Sequence, residues 1–262
     1  MSILFFDSGM GGITVLAEAM TLLPGEHYWY YADTAHVPYG NRSPENVRNL
    51  VIQIMDKIIP LISPEAVVIA CNTATSVAID SLRKRFTIPV IGMEPAVKPA
   101  VEKEKERGRR VLVLATSLTL SQKKYSHLVS RLNSERIVDS LPLPELVRMA
   151  EEELFDSDSV ISYLKESFCS LDLIQYGTVV LGCTHFPFFK DEIASFFTEG
   201  TPVIDGNAGT VKQLKRVLNK DRSLTANERN KWPEFMSSGD VKKDKEKFSR
   251  LLRRFREERR VR

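Results

Sequence analysis

The chain has 262 residues, of which 43% are hydrophobic, and its 37 Lys and Arg residues exceed its 34 Asp and Glu residues by three. This length and apolar content predict a folded, soluble protein with one large α/β domain or two small ones. The nearly balanced charge gives little reason to expect nucleic acid as a partner.

Membrane insertion and secretion are both disfavoured by the sequence. No run reaches about 18 uninterrupted apolar residues, and the opening MSILFFDSGMGG carries no basic segment or small-residue cleavage site. We therefore expect a cytoplasmic protein with no membrane partner. The cysteines, Cys71, Cys169 and Cys183, cannot all pair within the chain, and a reducing compartment would keep them as thiols.

Short apolar runs alternate with helix-like segments along most of the chain, which predicts parallel sheets with crossover helices. The runs are ILFF at 3–6, YWYYA at 28–32, AVVIA at 66–70, PVIGM at 89–93, RVLVLA at 110–115, TVVLG at 178–182 and PVID at 202–205. The predicted helices are 11–22, 44–62, 73–86, 119–132, 144–155, 158–170, 187–197, 207–219 and 241–258.

The sequence contains an internal duplication. VVIACNTATS at 67–76 resembles TVVLGCTHFP at 178–187, with Cys71 and Cys183 offset by 112 residues (183 minus 71). The flanks agree, because ILFFDSG at 3–9 matches VLVLATS at 111–117 with an offset of 108 (111 minus 3). We predict two similar α/β lobes with mainly parallel sheets flanked by helices, residues 1–97 with 207–262 and residues 98–206. The carboxyl ends of their strands would then face a shared active-site cleft.

Cys71 and Cys183 each end a predicted strand, and polar residues follow both. Unpaired backbone N–H groups at the start of the next helix, which Thr73 could cap, favour a thiolate or a substrate carboxylate there. Core filling does not require two matched strand ends of this kind. Cys169 lies at helical spacing within YLKESFCSLDLI, so we interpret it as a small buried core residue.

Asp7 directly follows ILFF, so its carboxylate should emerge at the same sheet edge as Cys71. The following SGMGG allows close backbone approach by a ligand, but it lacks the Lys of a phosphate-binding P-loop. His185 lies two residues after Cys183, where zinc ligation is an alternative. Because no second ligand pair stands at finger or ribbon spacing, we favour an acid/base partner for the thiol and expect no metal.

The motifs FFDSGMGG, PYGNRS, ACNTAT, GCTHFP and PVIDG, in this order, resemble the glutamate racemase family. These bacterial enzymes make D-glutamate for peptidoglycan, and hence for cell-wall biogenesis and cell shape, within the cofactor-independent aspartate/glutamate racemase superfamily. The resemblance covers residues 3 to about 218 and implies an isomerase that binds glutamate and needs no cofactor. We also expect a homodimer.

The resemblance assigns roles position by position. It implies that Cys71, Cys183, Asp7, His185 and a glutamate are catalytic, the glutamate being Glu151 with Glu152 as an alternative. The region before that glutamate reads SLPLPELVRMAEEE, with Leu143 where the family often has a cysteine. The implied substrate-binding residues are Asp7, Ser8, Pro38, Tyr39, Gly40, Asn72, Thr73, Thr184 and His185.

Inversion at an α-carbon requires a base on one face and an acid on the other. Thiols, with a reference pKa of about 8.5, can exchange these roles near neutrality. By the family's assignment, Cys71 deprotonates D-glutamate with Asp7 as its partner, and Cys183 deprotonates L-glutamate with His185 as its partner.

Three other interpretations compete with glutamate racemisation. A superfamily relative acting on aspartate or another acid is disfavoured by the Pro-Tyr-Gly segment. A nucleic-acid-binding protein would have to rely on the basic tail ending RRFREERRVR, which matches nothing in the family. A thiol redox protein lacks a C-x-x-C pair, so its disulfide would depend wholly on geometry.

Overall fold

The computed structural model describes residues 2–132, 136–218 and 232–261, with side chains described as far as residue 257. The chain divides into two compact units, Met1–Met93 with Asn207–Arg262 and Glu94–Gly206. Each unit contains one parallel sheet, with strands and helices numbered along the chain.

The first unit has a five-stranded sheet in the order β4-β3-β1-β2-β9, and every pairing is parallel. Its strands are β1 Ser2–Asp7, β2 His27–Ala32, β3 Ala66–Ile69, β4 Val90–Gly92 and β9 Glu234–Ser237. The central strands β1 and β3 are almost wholly buried, as expected for apolar runs covered by helices on both faces.

The helices of the first unit are α1 Ile13–Leu22, α2 Pro44–Ile62, α3 Asn72–Arg85, α10 Asn207–Val217 and α11 Val241–Val261. Helix α2 begins where the sequence indicates, because Ser43 accepts a hydrogen bond from the Asn46 backbone N–H and Pro44 occupies the first helical position. Helices α10 and α11 pack against α1. The segment after residue 231 is therefore part of this unit.

The second unit has a four-stranded parallel sheet in the order β6-β5-β7-β8. Its strands are β5 Arg110–Ala115, β6 Val138–Pro142, β7 Tyr176–Leu181 and β8 Val203–Asp205, and its helices are α4 Val97–Lys105, α5 Ser117–Ser121, α6 Lys123–Leu132, α7 Pro144–Glu151, α8 Ser157–Phe168 and α9 Lys190–Ala194. Helix α4 packs on β5 and β7, which explains why the division falls at Met93 rather than after Val97.

The two sheets share one topology. Adding four to each strand number in β4-β3-β1-β2 gives β8-β7-β5-β6, the order of the second sheet read from its other edge. Strands β1 and β5 start at Ser2 and Arg110 and end at Asp7 and Ala115, so they keep the sequence offset of 108 (110 minus 2). The predicted fold class, two similar lobes with mainly parallel sheets flanked by helices, is confirmed.

Several predicted elements were wrong in detail. The predicted helix 119–132 is interrupted at Gln122 between α5 and α6, and residues 186–189 form a 3-10 turn before α9. Strands β6 and β9 and the first part of α4 were not predicted. Both missed strands lie at sheet edges and carry exposed or half-buried residues, so they lack the apolar runs that mark central strands.

Cys169 corrects a prediction about burial. It caps the carboxyl end of α8 and is exposed, whereas its spacing had indicated a core position. The helix ends at Phe168, so the apolar face of the helix does not extend to the thiol.

No helix in the part of the chain that the structure describes combines the length and the apolar composition that crossing a bilayer requires.

Gly177 in β7 gives a test of packing at the buried Glu104. A Cβ at Gly177 would lie 2.1 Å from Oε2 of this carboxylate and 2.9 Å from Cβ of Arg109. We expect Gly177→Ala to lower the free energy of unfolding by about 1–3 kcal/mol, as overpacking does. Gly209→Ala on the exposed face of α10 meets no atom within 4 Å and should stabilise by about 0.5–1 kcal/mol. Chemical denaturation of both variants would check this, and a neutral Gly177→Ala would contradict it.

Candidate active site

The sulfur of Cys71 lies at the amino end of α3. Cys71 comes two residues after Ile69, the last residue of β3, and directly before Asn72, the first residue of α3. Cys71 is the N-cap residue, and its Sγ accepts a hydrogen bond from the backbone N–H of Ala74 at 3.4 Å. Thr73 was expected to be able to cap this helix; the sulfur takes that place instead. The unpaired N–H groups of a helix start and its partial positive charge favour a thiolate here.

Asp7 and Ser8 lie beside this thiol because β1 and β3 are paired neighbours. Asp7 is fully buried, and its Oδ1 accepts from the backbone N–H of Gly9 at 2.9 Å. The hydroxyl of Ser8 lies 3.6 Å from the Cys71 sulfur. Gly12 keeps the turn tight, since a Cβ there would lie 2.7 Å from Cβ of Asp7. The first unit therefore holds a carboxylate, a hydroxyl and a thiol at one sheet edge.

The Pro38-Tyr39-Gly40 segment belongs to the same unit. Tyr39 begins a 3-10 turn and is buried, while Pro38 and Gly40 are half-buried. Burial raises the pKa of the Tyr39 hydroxyl far above its ordinary value, and the negative charge of Asp33, its hydrogen bond to that carboxylate and the charges of Cys71 and Asp7 raise it further. Tyr39 is thus a neutral donor within electrostatic reach of the Cys71 thiol.

Asn72 carries a buried amide with no hydrogen-bond partner for either Oδ1 or Nδ2 among the described residues. It is the first residue of α3, directly after the thiol. A buried unpaired amide costs about 1–3 kcal/mol, so this side chain is placed for something other than folding stability. Its Nδ2 can donate to a negatively charged group and its Oδ1 can accept from a positively charged group, so the amide suits a ligand that carries both charges.

The second unit holds the other predicted thiol. Cys183 follows β7, and its Sγ lies 3.7 Å from Nδ1 of His185. Nε2 of His185 in turn lies 2.7 Å from Oε1 of Glu151 at the end of α7. Cys183, Thr184 and His185 are buried. The imidazole of His185 therefore contacts the thiol through one ring nitrogen and the carboxylate through the other.

Glu151 and Glu152 have separate partners. Glu151 pairs with His185, whereas Glu152 and Glu145 pair with Arg148 on the outside of α7. The carboxylate nearest His185 is therefore that of Glu151.

The pKa of His185 reflects its position between two acids. Burial by itself would lower it, but the hydrogen bonds to Cys183 and Glu151, with the charges of the same two groups, hold the pKa well above its usual range. The imidazolium can therefore donate from both ring nitrogens. Such a perturbed group in a buried cluster is a common feature of catalytic sites.

Further polar residues, which were not predicted from the sequence, follow strands β5 and β2. Thr116 and Thr119 are buried just after β5, where the Thr116 hydroxyl donates to that of Thr119 at 2.9 Å. The duplication could have identified Thr116, because the offset of 108 (116 minus 8) makes Thr116 the sequence counterpart of Ser8. In the first unit the buried Asp33 follows β2 and accepts from Tyr39.

Among the residues that the structure describes, no group of three or more His, Cys, Asp or Glu side chains could hold a metal ion. His185 is committed to its thiol and carboxylate neighbours.

Replacing the carboxylate next to His185 should lower the pKa of the imidazole. We expect Glu151→Gln to decrease it, because the amide keeps the hydrogen-bond acceptor but removes the negative charge. Titration of the His185 ring by NMR would measure the change. Glu152→Gln is the matched control and should leave the value unaltered, since Glu152 pairs with Arg148. Equal effects of the two substitutions would contradict the assignment.

The pair of His185 and Glu151 determines how the stability of the fold changes with pH. A raised folded-state pKa means that protonated His185 stabilises the fold fully below the unfolded value of about 6.5. The contribution is lost as the pH rises through the folded-state pKa. The stability difference between the wild-type protein and Glu151→Gln should therefore shrink at alkaline pH.

Comparison with known proteins gives a consistent result. The family model described as Asp/Glu/Hydantoin racemase matches residues 13–214. The glutamate racemase of Halothermothrix orenii is 49% identical over 96% of this chain and 98% of its own length, and glutamate racemase 2 of Bacillus subtilis is 51% identical over 83% and 82%.

Solved structures agree with the sequence relatives. Escherichia coli glutamate racemase, in complex with L-glutamate and the activator UDP-MurNAc-Ala, superposes with a TM-score of 0.80 at 30% identity, over 97% of this chain and 94% of that one. The Francisella tularensis glutamate racemase in complex with D-glutamate gives 0.80 at 29% identity, over 96% and 93%. The chain therefore belongs to the Asp/Glu/Hydantoin racemase family, within which its similarity is to the glutamate racemases.

Proposed function

We propose that this protein interconverts L-glutamate and D-glutamate with two thiols and no cofactor. The observation that carries the proposal is the repetition of one arrangement: two buried thiols, Cys71 after β3 and Cys183 after β7, with the Ser8 hydroxyl at 3.6 Å from the first and His185 Nδ1 at 3.7 Å from the second. Corresponding positions in two duplicated units supply the two bases that racemisation needs. The family membership supports the same reaction.

The chemistry explains why one thiol is insufficient. The proton on an amino-acid α-carbon is very weakly acidic, and a single base that removes it tends to return it to the same face. In the proposed mechanism Cys71 and Cys183 act on opposite faces of one substrate, one as thiolate and the other as thiol. Their roles exchange when the direction reverses.

Each thiol has its own proton partner in this mechanism. Cys71 deprotonates D-glutamate and passes its proton towards Asp7, which lies on the neighbouring strand β1. Cys183 deprotonates L-glutamate, with His185 as its partner and Glu151 orienting the imidazole. The raised pKa of His185 supports an imidazolium that stabilises the Cys183 thiolate.

The remaining side chains would bind and orient glutamate. We assign Asn72, Thr73 and Thr184 to the substrate ammonium and α-carboxylate, with Ser8 beside the first thiol. The turn at Pro38, Tyr39 and Gly40 would hold the side-chain carboxylate through backbone groups. Preorganised donors around the α-carboxylate would stabilise the carbanion.

The biological setting follows from the reaction. D-Glutamate of this origin would enter bacterial peptidoglycan, and we propose a cytoplasmic enzyme that contributes to cell-wall biogenesis. A homodimer remains a prediction.

The reaction is tested by polarimetry of the purified protein with L-glutamate and with D-glutamate, in D₂O and without added cofactor. Loss of rotation should accompany deuterium incorporation at the α-carbon. Cys71→Ala and Cys183→Ala should each reduce racemisation about a thousandfold or more, because each removes the base of one face. Cys169→Ala is the matched control and should keep wild-type activity, since this thiol is exposed just after the carboxyl end of α8.

Two outcomes would contradict the proposal. A wild-type protein that fails to racemise glutamate would exclude the reaction. Full activity in either Cys71→Ala or Cys183→Ala would exclude the two-thiol mechanism.

Asn72 should show opposite effects on stability and activity. Asn72→Leu removes an amide without a partner in the described chain, so we expect an unchanged or higher melting temperature and kcat/KM reduced about a hundredfold. Thr75→Val on the same helix removes a hydroxyl that bonds the Ile69 carbonyl and the Met93 N–H. It should lower the melting temperature and leave kcat/KM near wild type. A large loss of stability in Asn72→Leu would contradict the substrate-binding role.

A further inference from the structure

Asp33 is a buried carboxylate that the proposed mechanism does not use. It is fully buried and follows β2, the strand beside the Asp7 strand β1. Its Oδ2 accepts from the Tyr39 hydroxyl at 2.6 Å, and its Oδ1 lies 2.8 Å from Nδ1 of His36 and accepts from the Ser238 hydroxyl at 2.6 Å. Hydrogen bonds to a charged acceptor are stronger than neutral ones.

Ser238 comes from a distant part of the chain, directly after β9. Its backbone N–H donates to the Ala32 carbonyl at 3.1 Å, and its hydroxyl accepts from the Ala35 N–H at 3.0 Å. The hydroxyl therefore bridges the Ala35 backbone and the Asp33 carboxylate. One exposed side chain fixes the end of β2 and the start of the segment that leads to Tyr39.

The Tyr39 turn depends on the same carboxylate. The Tyr39 side chain reaches back from the 3-10 turn to Asp33, and Arg42 closes the segment by donating to the His36 carbonyl at 2.6 Å. Because the Tyr39 pKa is raised, by burial first and then by Asp33, this hydroxyl remains a donor at all physiological pH values.

The segment that contains Ser238 supports a second loop of the site. The Tyr30 hydroxyl donates at 2.6 Å to the carbonyl of Gly9, in the turn after Asp7. The Tyr30 ring packs edge-on against Phe235 of β9 and Phe248 of α11, with centroids at 6.2 and 5.3 Å. Two independent contacts thus join β9 and α11 to the predicted substrate loops.

We propose that Ser238 is a positioning residue that acts through Asp33 on the Tyr39 turn. The carboxyl-terminal strand β9 thereby sets the affinity for the side-chain carboxylate of the substrate. This inference rests on the proposed function, in which the backbone of Pro38, Tyr39 and Gly40 binds that carboxylate.

The expected kinetic signature is specific. The side-chain carboxylate lies away from the reacting carbon and is held in the ground state and in the transition state alike. Loosening the Tyr39 turn weakens binding of the substrate and of the transition state equally. Such a change raises KM and leaves kcat unchanged. A general loss of packing near the thiol would lower kcat as well.

The test compares four variants by racemisation kinetics and melting temperature. Ser238→Ala should raise KM for glutamate roughly three- to tenfold, with kcat near wild type. This is less than the full effect of losing a hydrogen bond to a charged group, because the change reaches the substrate only through Asp33 and the Tyr39 turn. Ser238→Thr keeps a hydroxyl and should restore a near-native KM. Ser237→Ala removes a hydroxyl without a partner among the described residues, and Glu234→Ala removes the His27 pair between β9 and β2. Both should keep the wild-type KM.

Hydrogen–deuterium exchange gives a readout that does not require activity. Backbone amides of residues 35–42 should exchange faster in Ser238→Ala than in the wild-type protein, whereas Ser237→Ala should show no such change. An unchanged KM and unchanged exchange in Ser238→Ala would overturn the positioning role. Equal KM increases in Ser238→Ala, Ser237→Ala and Glu234→Ala would also overturn it, because they would indicate loosening of β9 alone.

The kinetics also separate this proposal from the proposed function. Wild-type protein without racemase activity would contradict the function, and the exchange data would still decide whether Ser238 holds the Tyr39 turn. Active wild-type protein with a native KM in Ser238→Ala would contradict only the positioning role.

Discussion

Burial of polar and ionisable groups at the carboxyl ends of parallel strands is the constraint on which the polar cluster of each unit depends. Asp7, Asp33 and His185 lie in the protein interior, where an unpaired charge would be very costly. Each is therefore tied to named donors or acceptors: the Gly9 N–H, the Tyr39 and Ser238 hydroxyls, and the Glu151 carboxylate. Because Tyr39, Ser238 and Glu151 lie in other parts of the fold than the groups they contact, the burial of those groups depends on the packing of several elements.

The central part of this arrangement could be predicted from the sequence. Apolar runs ending in Asp7, Cys71 and Cys183 mark buried parallel strands, and the carboxyl ends of such strands carry binding groups. The roles of Tyr39 and Glu151 came from the family resemblance. Edge strands β6 and β9 were missed because most of their residues are exposed or half-buried. The burial of Cys169 was predicted wrongly because helical spacing does not reveal where a helix ends.

Asp33 and Ser238 could not have been linked from the sequence, since 205 positions separate them. Their contact exists because β9 adds to the edge of the first sheet beside β2. The second sheet ends at β6 and β8 among the described residues and has no strand in the place of β9. The duplication therefore explains the two thiols, whereas the support of the Tyr39 turn is an addition to one copy.

The two copies also differ in the partner of the thiol. The offset of 108 places Ala115 where the first unit has Asp7 (115 minus 7), and the offset of 112 places His185 where the first unit has Thr73 (185 minus 73). In the proposed mechanism, the proton partner therefore lies on the central strand in the first unit and in the segment after the cysteine in the second. A buried imidazole in that place needs a negatively charged hydrogen-bond acceptor to hold it protonated, which Glu151 at the end of α7 supplies. A carboxylate on β1 needs backbone donors instead, and the glycine turn after Asp7 provides one of them. In the proposed mechanism, the two thiols therefore serve opposite directions of one reaction, one with a carboxylate as its partner and the other with an imidazole.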